Sequence, residues 1–337
     1  MDPLSQALLG AALPITVAKR KFIKVAAICG AIAGLSPDLD ILIRSASDPL
    51  MRIEYHRHFT HSLAFIPIGG LLVALGLWLL FFRKESFKLI YIFTTLGFAT
   101  HGLLDACTSY GTLLYFPFSD ERVSWNIISI IDPIFTGILL VFCILCLFRK
   151  SVILMRIGLF LSMSYLALGY IKHEQVKDFV YEIADSRGHK VERVLLNPTI
   201  GNNILWRTVY QFDGFYYVDA VNLSLFSNPI LHEGVKVEVI NEDKIFPELG
   251  VDSVARNDIR RFAYFSQGFI YQHPDHENLI ADLRYGTLPQ DNKSLWGIKV
   301  DTNTSDKHVK FISLRKFEDK HYDEFWLMLG WDSSSEN

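Results

Sequence analysis

Long stretches without charged side chains constrain this chain more than any other feature. Four such stretches stand out: residues 61–82, 89–104, 129–148 and 151–171. The first two contain no Asp, Glu, Lys or Arg, the third contains only Asp132 and the fourth only Arg156. A helix needs about 20 apolar residues to cross the hydrocarbon core of a bilayer, which is close to the length of these stretches. They therefore predict membrane-spanning helices.

Two earlier stretches are weaker candidates for membrane helices. Residues 22–43 are interrupted near their end by "LSPDLD", and residues 4–18 are short and contain Pro14. With these two included, the sequence predicts five or six transmembrane helices within residues 1–171.

Charge divides the chain into two parts. Up to Ile171 it has 10 acidic and 14 basic residues, whereas from Lys172 onward it has 26 and 19. The second part alternates apolar and polar residues as strands do, in "LWRTVYQF" and "GFYYVDAVNL", with a turn at "DGF" and a helical pattern in "SVARNDIRRFAYFSQGF". We therefore predict a mainly α membrane bundle, residues 1–171, followed by a small α+β soluble domain, residues 172–337.

Basic residues in the short connections predict how the bundle is oriented. The richer connections contain Lys19, Arg20, Lys21 and Lys24, then Arg83, Lys84 and Lys88, then Arg149, Lys150 and the nearby Arg156. The connections between these have fewer basic residues in total. One, between residues 43 and 61, contains Arg44, Arg52 and Arg57, and the other, between residues 104 and 129, contains Arg122. Because connections rich in Lys and Arg stay in the cytoplasm, this pattern predicts a multi-pass protein of the cytoplasmic membrane whose soluble domain lies on the extracytoplasmic side.

Ionisable side chains occur where the apolar stretches end or begin, and the predicted topology places them on one membrane face. They are Asp38, Asp40, His56, His61, His101 and Asp105. Imidazole and carboxylate groups without a thiolate are typical ligands of zinc, manganese or iron. His101 and Asp105 are four residues apart, so a helix presents both on one face. The set predicts a mononuclear or dinuclear metal site at the extracytoplasmic face.

Some of these residues also have a simpler interpretation. Asp132 precedes Pro133, as an N-cap residue does, and Asp38 follows Pro37 and could only shape a turn. Arg57 could be an interfacial side chain, although a site for an anionic substrate would use it. His58 could be an exposed loop residue.

Three motifs resemble bacterial membrane-bound metal-dependent hydrolases of the YdjM-like type. They are "GLSPDLD", "HRHFTHSL" and "HGLLDACTSYGTLLYFPFSDERVSWNIISIIDP", and "MDPLSQALLGAA" and "DLRYG" resemble the longer branch that carries a C-terminal soluble domain. The resemblance implies an inner-membrane location and metal-site roles for Asp38, Asp40, His56, His61, His101 and Asp105. Two positions depart from the pattern, since His58 replaces a usual glycine and Gln6 replaces a histidine of some members.

The same resemblance implies an activity. This family is distantly similar to zinc phospholipase C and P1-type nucleases, which hydrolyse phosphodiesters with metal-activated water. We therefore expect a hydrolase that uses Zn²⁺, or alternatively Mn²⁺, on a phosphoester of a lipid or envelope molecule, and no nucleic-acid partner. In such a hydrolase Asp38 or Asp40 would act as general base or would orient a metal ligand, and Arg57 would hold a phosphate oxygen. The alternatives are a non-catalytic protein that binds or transports a metal and a protein whose soluble domain is an interaction module.

Overall fold

The computed structural model describes residues 1–224 and 228–331, and these form two compact units. The membrane unit consists of Met1–Ile43, Tyr55–Ile171 and Ile200–Asn202. The C-terminal unit consists of Arg44–Glu54, Lys172–Thr199 and the chain from Asn203 onward. The predicted soluble domain, 172–337, includes residues 225–227 and 332–337, which lie outside the described residues.

Apolar helices build the membrane unit. They are α1 (Pro3–Val17), α2 (Ile23–Leu35), α4 (Ile66–Leu80), α5 (Phe87–Ala106), α6 (Pro133–Arg149) and the first part of α7 (Val152–Ser186), while the short α3 (Met51–Tyr55) lies in the connection between α2 and α4. Four segments are long and apolar enough to cross a membrane: Arg20–Leu42, Leu63–Leu80, Phe87–Ala106 and Val152–Ser186. Helices α1 and α6 are apolar but shorter, with 15 and 17 residues. The predicted helical membrane bundle is confirmed, with four full-length spans in the described residues.

Glycines allow α1, α2 and α5 to touch through their backbones. A Cβ atom on Gly30 of α2 would lie 2.2 Å from the carbonyl oxygen of Gly10 in α1. A Cβ atom on Gly97 of α5 would lie 2.4 Å from the carbonyl oxygen of Gly30. Real side chains never approach so closely, so only glycine fits at these crossings. The contact places the end of α2 beside the second half of α5.

Helix α7 is longer than a membrane span needs. It has 35 residues, because the amphipathic stretch "VKDFVYEIADSRG", residues 176–188, continues the last apolar segment without a break. The helix ends at Ser186, and Gly188 follows in the left-handed region at φ 72°. Glycine adopts this conformation without a steric penalty, which is why it commonly ends helices.

Two antiparallel four-stranded sheets form most of the C-terminal unit. The first contains β1 (Arg193–Pro198), β2 (Leu205–Phe212), β3 (Phe215–Asn222) and β4 (Ile230–Glu238) in that order. The second contains β5 (Ile270–Gln272), β6 (Leu279–Asp282), β7 (Trp296–Lys299) and β8 (Lys310–Ser313). Asp213 and Gly214, both at positive φ, make the tight turn predicted at "DGF".

The first sheet is covered on both faces. One face packs with Tyr271 and other apolar residues of the second sheet, and the opposite face packs against Val176 and Val180 of α7. Helices α8 (Val254–Phe265) and α9 (Asp319–Met328) complete the unit. The predicted α+β character is therefore confirmed, and α8 lies where the helical pattern was predicted.

Candidate metal centre

Three local elements carry the polar side chains of the candidate centre. Helix α2 continues into a 3-10 turn, Ser36–Leu42, which carries Asp38 and Asp40. A second 3-10 turn, Phe59–His61, carries His61. Helix α5 carries His101 and Asp105 in its last turns. Because α5 contacts α2 through glycines, these elements meet at one end of the membrane unit.

Four side chains converge there, and we call them the quartet: Asp38, His61, His101 and Asp105. One ligand atom from each lies within 4.8 Å of every other. The Nε2 atoms of His61 and His101 are 2.9 Å apart. Asp38 Oδ1 lies 3.5 Å and 3.3 Å from these two nitrogens, and Asp105 Oδ2 lies 3.3 Å and 3.5 Å from them. The spacing suits one small cation among four donor atoms.

Hydrogen bonds at the other ring nitrogens fix the tautomers of both histidines. His101 Nδ1 is 2.5 Å from the carbonyl oxygen of Gly34, which can only accept, so Nδ1 carries a proton. His61 Nδ1 is 3.0 Å from the Thr60 hydroxyl, whose own proton goes to Asp40 Oδ2, so this Nδ1 also donates. Neutral rings with these tautomers direct two Nε2 lone pairs at each other and at two carboxylate oxygens. Four such electron-pair donors repel one another until a cation or proton enters the group.

Burial makes this repulsion costly. The side chains of His61 and His101 are fully buried, and that of Asp105 is 1% exposed. Asp105 Oδ2 makes no well-aligned hydrogen bond among the described residues, although Arg57 Nε lies 3.0 Å from it as an ion-pair partner. A buried carboxylate oxygen that lacks a full hydrogen bond costs free energy, and a metal ion would remove that cost. The residues present therefore fit a divalent cation.

A proton competes with a metal for the same place. Burial by itself lowers the pKa of His61, but hydrogen bonds to Asp105, Asp38 and Asp40 outweigh it and raise the pKa to about 10. A histidine ligand must lose this proton before it can bind a metal. Metal affinity should therefore fall as the solution becomes more acidic.

Asp40 and His56 lie beside the quartet rather than within it. Asp40 Oδ1 is 2.8 Å from His56 Nδ1, and Asp40 Oδ2 is 3.2 Å from His61 Nδ1. The same oxygen accepts hydrogen bonds from the Thr60 hydroxyl and the backbone N–H of Arg57. Asp40 thus holds the His61 ring, as carboxylates behind metal-bound histidines do. Asp38, Asp40 and His56 also form a second group with ligand spacing, which shares Asp38 with the quartet.

Arg57 is buried against Asp105. Its Nε lies 3.0 Å from Asp105 Oδ2, and its Nη1 donates to the Thr108 hydroxyl at 2.9 Å. Its guanidinium carbon lies 4.7 Å from the centre of the Tyr110 ring, and its backbone is left-handed at φ 63°. These contacts make Arg57 a support for Asp105 rather than a side chain at an open surface.

Gln6 contributes from a distant part of the sequence. Its Nε2 donates to Asp105 Oδ1 at 2.9 Å, and the backbone nitrogen of Met1 contacts the same oxygen. Gln6 stands where the resembling family has a histidine in some members. Here it donates a hydrogen bond that orients the Asp105 carboxylate.

The roles of Thr60 and Thr108 could not be predicted from the sequence, because a single hydroxyl near a motif gives no signal of its own.

Two further polar residues lie outside the quartet. Asp132 accepts hydrogen bonds from the backbone N–H groups of Ile134 and Phe135, so it is the N-cap of α6. The His58 ring lies 4.8 Å from the Phe116 ring. Neither joins the groups with metal-ligand spacing.

A third group with ligand spacing, in the C-terminal unit, already has its cation. It consists of Asp48, Asp258 and His308. Arg261 donates to Asp258 Oδ1 and to Asp48 Oδ2, each at 2.8 Å. The guanidinium neutralises both carboxylates, so this group is an ion-pair network.

Comparison with known proteins bears on the membrane unit. The model of the YdjM inner membrane protein family matches residues 1–176, which is about half of the chain and contains the whole quartet. No curated protein and no solved structure matches the chain. The apolar helices agree with a membrane location. The chain belongs to the YdjM inner membrane protein family.

Proposed function

We propose that this protein is a membrane-bound metal-dependent hydrolase of phosphoester bonds. The observation that carries the proposal is the quartet, in which two imidazole nitrogens and two carboxylate oxygens converge within ligating reach of one another. Zn²⁺ is the preferred metal, since two nitrogens and two oxygens are common zinc ligands, and Mn²⁺ is the alternative. A bound divalent cation would supply Lewis acidity and an activated water.

The surrounding residues have distinct roles in this proposal. Asp40 fixes the orientation of His61 through Nδ1, and Arg57 and Gln6 fix Asp105. Asp38 differs from the other three members because its side chain is 32% exposed. Its Oδ1 faces the two Nε2 atoms, and exposure would let its other oxygen reach a substrate or a water, so Asp38 is also the proposed general base. Arg57 then acts as a positioning residue.

The orientation predicted from basic connections places the quartet at the extracytoplasmic face of the inner membrane. At the end of apolar helices it would lie near the depth of lipid headgroups. A lipid or an envelope molecule with a phosphoester bond is therefore the proposed substrate class.

One observation favours a second candidate, a metal site without catalysis. Three of the four side chains are at most 1% exposed, which is typical of structural metal sites that keep no open position. In that case the metal would be bound for stability or transport. Metal-dependent uptake into vesicles without hydrolysis would support this candidate.

The test compares the wild type with His61→Ala and with His58→Ala as the matched histidine control. Each protein is purified in detergent, its metal content is measured by mass spectrometry, and hydrolysis of bis(p-nitrophenyl) phosphate is followed with added Zn²⁺ or Mn²⁺. Wild type and His58→Ala should bind metal and turn over substrate, whereas His61→Ala should lose both by about a hundredfold or more. Equal metal content and equal rates in all three proteins would refute the proposal.

A further inference from the structure

We propose that the C-terminal unit contains a separate binding site for a phosphate group, in a cleft beside strands β7 and β8. The cleft has a volume of about 510 Å³. Its polar lining includes Asn278, Lys299, Asp301, Thr304, Lys307 and Lys310. Three ammonium groups against one carboxylate give this lining a net positive charge. The rest of residues 172–337 has more acidic than basic side chains, so the cleft is positively charged within a negatively charged part of the chain.

The register of the sheet brings two of these lysines together. Lys299 on β7 and Lys310 on β8 are direct cross-strand partners. The Cβ atoms of such partners are about 5 Å apart, and like charges at this position destabilise a sheet. A lysine on β8, the last strand of the sheet, could by itself protect an edge from aggregation. That protection does not require a second lysine opposite it on the inner strand.

Among the described residues, the three ammonium groups are not paired with carboxylates, although Asp301 is part of the same lining. Within residues 1–224 and 228–331, none of Lys299, Lys307 and Lys310 forms a salt bridge. The nearby Asp258 is buried and already bonded to Arg261 and to His308 Nδ1. An oxyanion in the cleft would relieve the repulsion between the lysines.

The size and polarity of the cleft indicate the ligand class. Its volume lies within the range of small-molecule sites, about 300–1,000 Å³, and exceeds what inorganic phosphate alone would fill. Lysine binds phosphate as a compact charge, and the Thr304 hydroxyl and Asn278 amide add neutral hydrogen-bonding groups. The ligand is therefore a phosphomonoester with a small polar group, either free in solution or as a lipid headgroup. This site is independent of the quartet.

The experiment measures binding of glycerol 3-phosphate to the full-length protein in detergent by titration calorimetry. A chelator is present throughout, so that a metal in the quartet cannot bind the phosphate. The test variant is Lys299→Gln/Lys310→Gln, and the matched control, Lys244→Gln/Lys316→Gln, removes two exposed lysines outside the cleft. The wild type and the control should bind, with affinity that falls as salt rises, and the test variant should bind about tenfold more weakly.

Thermal unfolding provides a second readout. Without phosphate, the test variant should unfold at a higher temperature than the wild type because the cross-strand repulsion is gone. Addition of glycerol 3-phosphate should raise the unfolding temperature of the wild type, and the same ligand concentration should raise that of the test variant by less.

Nanodiscs distinguish the two sources of the phosphate group. The wild-type protein is placed in phosphatidylcholine nanodiscs with or without phosphatidic acid, and its binding of glycerol 3-phosphate is measured in both. Equal binding in the two lipid compositions means that the ligand is soluble. Loss of binding in the presence of phosphatidic acid means that the cleft takes a lipid headgroup. Equal binding by wild type and test variant, or an equal loss in the control variant, would overturn the proposed site.

Discussion

Replacement of His101 by alanine is expected to abolish metal binding and leave the fold of the membrane unit in place. His101 supplies one of the two Nε2 atoms of the quartet, and its ring is held by a hydrogen bond to the Gly34 carbonyl. Changes to groups that only orient a metal ligand cost tenfold to a hundredfold in affinity, so loss of the ligand itself should cost more than about a hundredfold. The measurement is the dissociation constant for Zn²⁺ by competition with a chelating dye.

The His101→Ala result needs a control for general damage. His58→Ala removes a histidine from the same region that lies against Phe116 and outside the quartet. It should keep the affinity of the wild type. Circular dichroism and a single peak in size exclusion would show that both variants retain their helices. Unchanged zinc affinity in folded His101→Ala protein would contradict the assignment of His101 as a ligand.

Gly102→Ala is expected to disrupt the quartet without changing any of its members. A Cβ atom on Gly102 would lie 2.1 Å from the backbone carbonyl oxygen of His61, and a backbone atom cannot swing away as a side chain can. Either α5 or the Phe59–His61 turn must move. Overpacking of this kind costs about 1–3 kcal/mol of stability. Zinc affinity should fall as well, because metal sites tolerate displacements of only about 0.5 Å.

The control for Gly102→Ala is Gly76→Ala on α4. Apart from the backbone of its own helix, no atom of the described residues lies within 4 Å of a Cβ atom built on Gly76, and the Gly76 backbone is helical. Alanine favours a helix over glycine by about 1 kcal/mol, so Gly76→Ala should be as stable as the wild type or slightly more so. Thermal unfolding and zinc titration of both variants provide the comparison. Equal behaviour of the two variants would show that the close approach at Gly102 is unimportant.

The helical architecture could be predicted from the sequence, because a long uncharged stretch in a membrane satisfies its backbone hydrogen bonds most simply as a helix. Residues 61–82 and 89–104 correspond to α4 and α5 within a few residues. The single helix α7 was not foreseen, since its apolar and amphipathic parts have different surface patterns. The surface pattern changes where the apolar part meets the amphipathic part, but the backbone stays helical through this point.

Strands were predictable where alternation was long. "LWRTVYQF" coincides with β2, and the predicted strand "GFYYVDAVNL" contains β3. Strands β5 and β6 were missed because they have three and four residues and are almost entirely buried, so they do not alternate. Helix α9 was missed as well, since its short sequence mixes charged and aromatic residues without a strong period.

The residue types at the candidate site could be predicted from the sequence, but the separate role of each residue could not. Asp38 and Asp40 are two residues apart in one 3-10 turn, yet Asp38 faces both Nε2 atoms and Asp40 faces Nδ1 of His61. Which nitrogen each aspartate faces depends on how the 3-10 turn packs against α5. The contact of Gln6 with Asp105 joins residues 99 positions apart, which only the helix packing reveals.

The most direct test of the quartet is the zinc K-edge X-ray absorption spectrum of the purified wild-type protein after zinc loading. The account predicts nitrogen and oxygen ligands at about 2.0–2.2 Å, with the scattering pattern of two imidazole rings and with no sulfur shell. The imidazole signal should be absent in a double His61→Ala/His101→Ala variant. A sulfur shell at about 2.3 Å, or an imidazole signal that survives in the double variant, would place the zinc elsewhere and contradict the account.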